Sequence, residues 1–144
     1  MAGPRVHIFI GPYGSGKTET AINFACRERL RGENVSLIDL DIVNPYFRSR
    51  EAHGTLVALG LRVISSAAGF EEADLPALSP AILGALQTEG LTLVFDVGGD
   101  PVGARALGRF QRLLTPLAPA VLAVINAYRP ETQTPEQIVR LVRA

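Results

Sequence analysis

The chain has 144 residues, of which 47% are hydrophobic; this length allows one well-buried core but not two ordinary domains. Its 14 basic and 14 acidic side chains balance, so bulk charge does not indicate nucleic acid or an anionic membrane as a partner. It contains no 18-residue apolar run and no signal-peptide pattern, and its single cysteine, Cys26, cannot form an internal disulfide. These features predict a soluble, cytoplasmic protein of one domain without a transmembrane segment.

The first third of the chain predicts a strand, a helix and a second strand. Residues 6–10 are apolar, mostly β-branched or aromatic, and end at Gly11, which is typical of a strand buried on both faces. Residues 17–30 carry apolar side chains at helical spacing. Residues 35–40 predict the second strand.

The middle of the chain is less regular. Residues 51–59 predict a short helix and residues 61–65 a short third strand, while residues 67–79 have the composition of a loop. A Ser-Pro pair then opens a predicted helix that extends to residue 88, because serine suits the N-cap and proline the first helical position.

The last third again alternates strands with helices. Residues 91–95 and 120–125 predict strands, residues 102–114 an amphipathic helix, and residue 135 the start of a helix that continues to residue 144. Alternation over the whole length predicts one α/β domain, with a mostly parallel sheet between two layers of helices.

The junction between the first strand and the first helix carries a phosphate-loop motif. Eight consecutive residues fit G-x-x-x-x-G-K-[ST]: Gly11, Pro12, Tyr13, Gly14, Ser15, Gly16, Lys17 and Thr18. Glycines let backbone N–H groups approach phosphate oxygens, and the N-terminus of the helix attracts the same anion. Lys17 is expected to reach the β- and γ-phosphates, and the Thr18 hydroxyl to ligate Mg²⁺. The alternative is a glycine-rich turn with a solvated lysine; the flanking strand and helix favour a P-loop NTPase fold over residues 1–144.

A carboxylate that completes the magnesium site is predicted at the end of the strand over residues 91–95. Asp96 follows that apolar run as in a Walker-B strand, which holds Mg²⁺ beside the phosphate loop. The sequence from Asp96 to Gly99 has the form Asp-x-x-Gly, so the Gly99 N–H is expected to meet the γ-phosphate. The alternative is an aspartate that caps a glycine turn.

Two further carboxylates end the second strand. Asp39 and Asp41 are two residues apart and therefore lie on the same side of an extended chain. We assign Asp39 to Mg²⁺ through water and Asp41 to placing the attacking water, with a solvated acidic turn as the alternative. Catalysis is thus assigned to Lys17 and Asp41, and metal binding to Thr18, Asp39 and Asp96. Nucleotide binding is assigned to Gly11, Tyr13, Gly14, Ser15, Gly16, Lys17, Thr18, Glu19 and Gly99.

Several of these segments, in the same order along the chain, resemble the MinD/ParA-like (SIMIBI-class) P-loop ATPases: residues 16–25, 38–41, 96–99 and 124–131. The resemblance implies ATP, Mg²⁺ and slow hydrolysis that drives a conformational switch, with Asp41 as the hydrolytic residue. It also implies a homodimer or a partner protein, which we expect to contact residues 41–50 and 96–103.

The chain departs from that family in two respects. The family carries a second lysine near the start of the loop, where Pro12 and Tyr13 stand here, and Lys17 is the only lysine in the chain. The family also continues past the last helix to another strand, so this sequence is expected to be either a minimal domain or the N-terminal part of a longer one. A GTPase of the same class, a small-molecule kinase and a non-hydrolysing scaffold remain alternatives. The absence of an Asn-Lys-x-Asp motif favours ATP over GTP.

Overall fold

The computed structural model describes residues 4–40, 50–65 and 79–143. Its strands are β1 (Val6–Ile10), β2 (Asn34–Asp39), β3 (Arg62–Ser65), β4 (Leu91–Asp96) and β5 (Ala120–Ala123). Its helices are α1 (Lys17–Leu30), α2 (Arg50–Ala58), α3 (Pro80–Gln87), α4 (Pro101–Gly108), α5 (Gln111–Leu114) and α6 (Pro135–Arg143). All pairings are parallel, and the sheet order is β3-β2-β4-β1-β5. The predicted parallel sheet is confirmed.

Helices cover both faces of the sheet. One hydrophobic cluster joins α3, α4 and the α4–α5 junction to one face through Ile82, Leu107 and Phe110. A second cluster joins α1 and α2 to the opposite face through Ala21 and Leu56. Strand β4 lies in the middle of the sheet and is buried along its whole length, which explains why Thr92 is the single polar residue before Asp96. The domain is therefore a three-layer α/β arrangement, as predicted.

The strand register aligns the residues that follow the sheet. Phe9 of β1 and Asp39 of β2 both pair with Asp96 of β4. Asp39 and Asp96 therefore lie side by side on neighbouring strands, about 4.8 Å apart in the pairing direction. Because side chains alternate along a strand, both carboxylates share a face with Leu37 and Val94, which is the face that α1 covers.

One predicted helix is wrong: residues 102–114 form two helices, not one. The chain leaves α-helical bonding after Gly108, and the Phe110 N–H donates to the Leu107 carbonyl, three residues earlier, at 2.9 Å. Glycine is a weak helix former, and the turn brings Phe110 and Leu114 into the core, where each is 4% exposed. Burial of these two apolar side chains thus overrides the helical periodicity.

Other boundaries differ by one or two residues. β5 ends at Ala123, two residues earlier than predicted, and α4 begins at Pro101 behind Asp100, whose carboxylate accepts from the Val102 and Gly103 amides. No helix in the three described ranges is both long and apolar enough to cross a membrane. Asp41, most of the predicted 41–50 contact segment and nearly all of the predicted loop over 67–79 lie outside the described residues.

Candidate functional site

The loop between β1 and α1 has a shape that depends on glycine. Gly14 and Gly16 have positive φ angles of 72° and 86°, which side-chain-bearing residues adopt only with strain. The Ser15 N–H donates to the Pro12 carbonyl (3.1 Å), and this bond closes the turn. Gly16 is the N-cap of the 14-residue helix α1, and no side chain caps that helix. The first turn of α1 therefore presents backbone amides towards the loop, as an anion site requires.

The loop is packed tightly against the chain that leaves β4 and β5. A Cβ on Gly11 would lie 2.5 Å from the Val124 carbonyl oxygen, and a Cβ on Gly99 would overlap the Gly11 carbonyl oxygen. The same Gly99 Cβ would lie 3.1 Å from Pro12 Cα. The two glycines thus permit backbone-to-backbone contact, and Gly99 lies beside the first two residues of the loop.

Three charged side chains are buried around the start of α1. Asp96 is 0% exposed, Asp39 1% and Lys17 7%. The Thr18 hydroxyl donates to Asp96 Oδ2 at 2.7 Å, and this bond ties the first turn of α1 to the end of β4. Since burying charge is costly, a group of buried ionisable side chains at the strand ends indicates a functional site more than a stabilising one.

One hydroxyl in the loop has capacity for an external partner. Ser15 is 8% exposed, and its Oγ makes no hydrogen bond to the described part of the chain. Most buried polar atoms in proteins are hydrogen-bonded, so an orphaned hydroxyl inside a glycine-rich loop fits an added acceptor such as a phosphate oxygen.

The predicted nucleotide-binding residues fall into three groups. The structure brings together the loop, the start of α1 and the ends of β2 and β4: Gly11, Gly14, Ser15, Gly16, Lys17, Thr18, Asp39, Asp96 and Gly99. The side chains of Tyr13, 79% exposed, and Glu19 point to solvent, so Tyr13 can contribute its backbone. Asp41 lies outside the described residues.

Sequence reasoning missed two side chains that contact the loop from the far end of the chain. Arg129 Nε and Asn126 Nδ2 both donate to the Gly14 carbonyl, at 3.3 Å and 3.4 Å. Thr132, 0% exposed, donates its hydroxyl to the Asn126 carbonyl at 2.6 Å. The resemblance of residues 124–131 marked this segment, but no local pattern predicts a bond across 115 residues.

The oxygen ligands for a cation are few. Among the described residues, no cluster of three or more histidine, cysteine, aspartate or glutamate side chains could hold a metal ion. The ligands that are present are the Thr18 hydroxyl and the carboxylates of Asp96 and Asp39. Magnesium typically takes one or two carboxylates and completes its shell with water and substrate phosphates. The set therefore fits Mg²⁺ that arrives with a nucleotide better than an ion held by protein alone.

Two titratable groups away from the loop have shifted pKa values. Burial lowers the pKa of His7 below its ordinary value, and its ring lies 4.5 Å from that of Phe24. Burial raises the pKa of the Cys26 thiol, which keeps it protonated and unreactive at neutral pH. Neither group contributes to the site at the loop.

No family model matches the chain, and no curated protein matches its sequence.

Proposed function

We propose that this domain is a P-loop NTPase that binds ATP with Mg²⁺ and hydrolyses it slowly, as a nucleotide-driven switch of the MinD/ParA-like type. One observation carries the proposal: the Thr18 hydroxyl and Asp96 are hydrogen-bonded next to buried Lys17, directly behind a glycine-dependent loop. A solvated glycine turn would explain neither the buried lysine nor the buried aspartates.

Binding would use the loop and its two buried side chains. Backbone N–H groups of the loop and of the first turn of α1 bind phosphate oxygens, and the Ser15 hydroxyl adds one more donor. The Lys17 ammonium neutralises the β- and γ-phosphates. Its burial excludes water from this contact and so strengthens it.

Hydrolysis would use the carboxylates at the ends of β2 and β4. Asp96, Asp39 and Thr18 would hold Mg²⁺, which supplies charge neutralisation at the β- and γ-oxygens. Asp41, two residues beyond Asp39, would place the attacking water and accept its proton. The loop amides and Lys17 stabilise the charge that develops on the phosphate oxygens.

The output of the switch would pass through the segments beside the loop. Gly99 lies against Gly11 and Pro12, so a movement of residues 96–103 on loss of the γ-phosphate would displace the loop. A movement of the loop would likewise displace residues 96–103. A homodimer or a partner protein would read this segment together with residues 41–50. Because Pro12 and Tyr13 replace the family's second lysine, hydrolysis would not depend on a lysine from a second copy.

Calorimetric titration of ATP and GTP, each in Mg²⁺ and in EDTA, tests this proposal. We expect ATP to bind more tightly than GTP, and Mg²⁺ to tighten ATP binding in the wild type but not in Thr18→Ala. Thr115→Ala is the matched control, because Thr115 is exposed and its hydroxyl makes the same type of helix bond, to the Gln111 carbonyl, outside the proposed site. Failure of both nucleotides to bind the folded protein would refute the proposal. Phosphate release then separates hydrolysis from transfer to an added acceptor.

A further inference from the structure

The segment after β5 contacts the phosphate loop through the side chains of Asn126 and Arg129. The Val124 N–H donates to the Ile10 carbonyl at 2.8 Å, so the chain leaving β5 runs beside the chain entering the loop. Two residues later a turn begins at Asn126: the Arg129 N–H donates to the Asn126 carbonyl at 3.0 Å. This turn directs the Arg129 side chain back onto the loop.

The Arg129 guanidinium lies against Gly14. A Cβ on Gly14 would lie 2.7 Å from Arg129 Cζ and 3.0 Å from Nε, so the plane of the guanidinium occupies the space that any side chain at position 14 would need. Arg129 Nε also donates to the Gly14 carbonyl, which accepts from Asn126 Nδ2 as well. No ion pair joins Arg129 to a carboxylate in the described ranges. The bonds that Arg129 makes to described residues are therefore directed to the loop.

The turn that carries Arg129 is itself fixed. Thr132 is fully buried, donates its hydroxyl to the Asn126 carbonyl and its N–H to the Arg129 carbonyl at 3.0 Å. The Asn126 side chain accepts from the Tyr128 N–H at 3.0 Å. The backbone that carries Arg129 is thus fixed, and the planar guanidinium loses less freedom per hydrogen bond than a flexible ammonium, which favours a persistent contact.

We propose that Arg129 is a positioning residue for the phosphate loop. Its guanidinium packs against Gly14 and, with Asn126, fixes the Gly14 carbonyl, so that the loop keeps the shape that receives phosphates. This inference rests on the proposed function, because it assigns to Arg129 an effect on phosphate binding at the same site.

The test compares Arg129→Ala, Arg129→Lys and the wild type, with ATP and inorganic tripolyphosphate as the two calorimetric ligands. Loss of a charge-assisted hydrogen bond and its packing predicts that Arg129→Ala binds both ligands about tenfold more weakly. Arg129→Lys keeps the charge but lacks the planar group, so we expect it to recover less than half of the loss on a logarithmic scale. Arg112→Ala, which removes an exposed arginine of α5, is the matched control and should bind both ligands like the wild type.

Thermal melting without ligand accompanies each titration, and we expect all variants to melt near the wild-type temperature because Arg129 is exposed. Three results would overturn the inference: unchanged affinity in Arg129→Ala, full recovery in Arg129→Lys, or weaker ATP binding with unchanged tripolyphosphate binding. The last would mean that Arg129 contacts the nucleoside, not the loop. If the wild type binds neither ligand, the proposed function fails instead.

Discussion

Replacing Gly99 by alanine tests whether the end of β4 is packed on the phosphate loop. The added Cβ would overlap the Gly11 carbonyl oxygen and lie 3.1 Å from both Pro12 Cα and the Pro12 carbonyl carbon. All three obstacles are backbone atoms, so they cannot be relieved by a side-chain rotation. Either the loop or the segment between β4 and α4 must move.

The size of the effect follows from the cost of inserting a methyl group into a packed region, about 1–3 kcal/mol. If the loop takes up the displacement, the affinity for ATP with Mg²⁺ falls by the same free energy, which is about 5- to 150-fold. Calorimetry measures this affinity. Urea unfolding without nucleotide measures the loss of stability that is expected if another part of the protein takes up the displacement.

Gly108→Ala is the matched control for this substitution. Gly108 is the last residue of α4, and a Cβ there would meet no atom within 4 Å. Its affinity should equal that of the wild type, and its unfolding free energy should be equal or higher because alanine favours the helix. Wild-type affinity and stability in Gly99→Ala would refute the packing argument.

Three further outcomes are expected. Asp39→Asn should weaken ATP binding in Mg²⁺ about tenfold and leave binding in EDTA unchanged, since a carboxylate ligand is lost; equal losses in both buffers would contradict a metal role. Asp41→Asn should lower phosphate release at least about 100-fold at saturating ATP with little change in affinity, and an unchanged rate would remove Asp41 from catalysis. Burial lowers the pKa of His7 in the folded chain. The unfolded chain therefore binds more protons than the folded chain as the pH falls through the ordinary histidine pKa of about 6.5. Urea unfolding should therefore show that the free energy of unfolding of the wild type falls between about pH 7.5 and about pH 5.5, and that it falls less in His7→Gln. His53→Gln is the control, and an equal decline in both variants would contradict this expectation.

Local patterns were enough to predict most of the fold. The mostly apolar sequence of β4 reflects its place in the middle of the sheet, and the glycines of the loop reflect backbone angles that the motif requires. Parallel pairing follows from strands that alternate with helices, and it brings Asp39 beside Asp96. These properties depend on neighbours in sequence or on general rules of sheet assembly.

The remainder depends on tertiary contacts. The break before α5 forms because Phe110 finds a buried position, which the helical periodicity of residues 102–114 does not show. The bond between Arg129 and Gly14 joins residues 115 positions apart, and an exposed arginine in a turn carries no sequence signal for it. The cap by Asp100 was within reach of sequence reasoning, since an Asp-Pro pair before a helix is a typical start.

The most direct test of nucleotide binding is a titration of ATP with Mg²⁺ into Lys17→Ala beside the wild type, after melting shows that both are folded. Lys17 is the only lysine, so the substitution removes every lysine ammonium in the protein. We predict saturable binding to the wild type and a loss of at least about 100-fold in the variant, because the proposed site places the buried ammonium in direct contact with the polyphosphate. Equal affinities would place the nucleotide away from the loop and contradict the account.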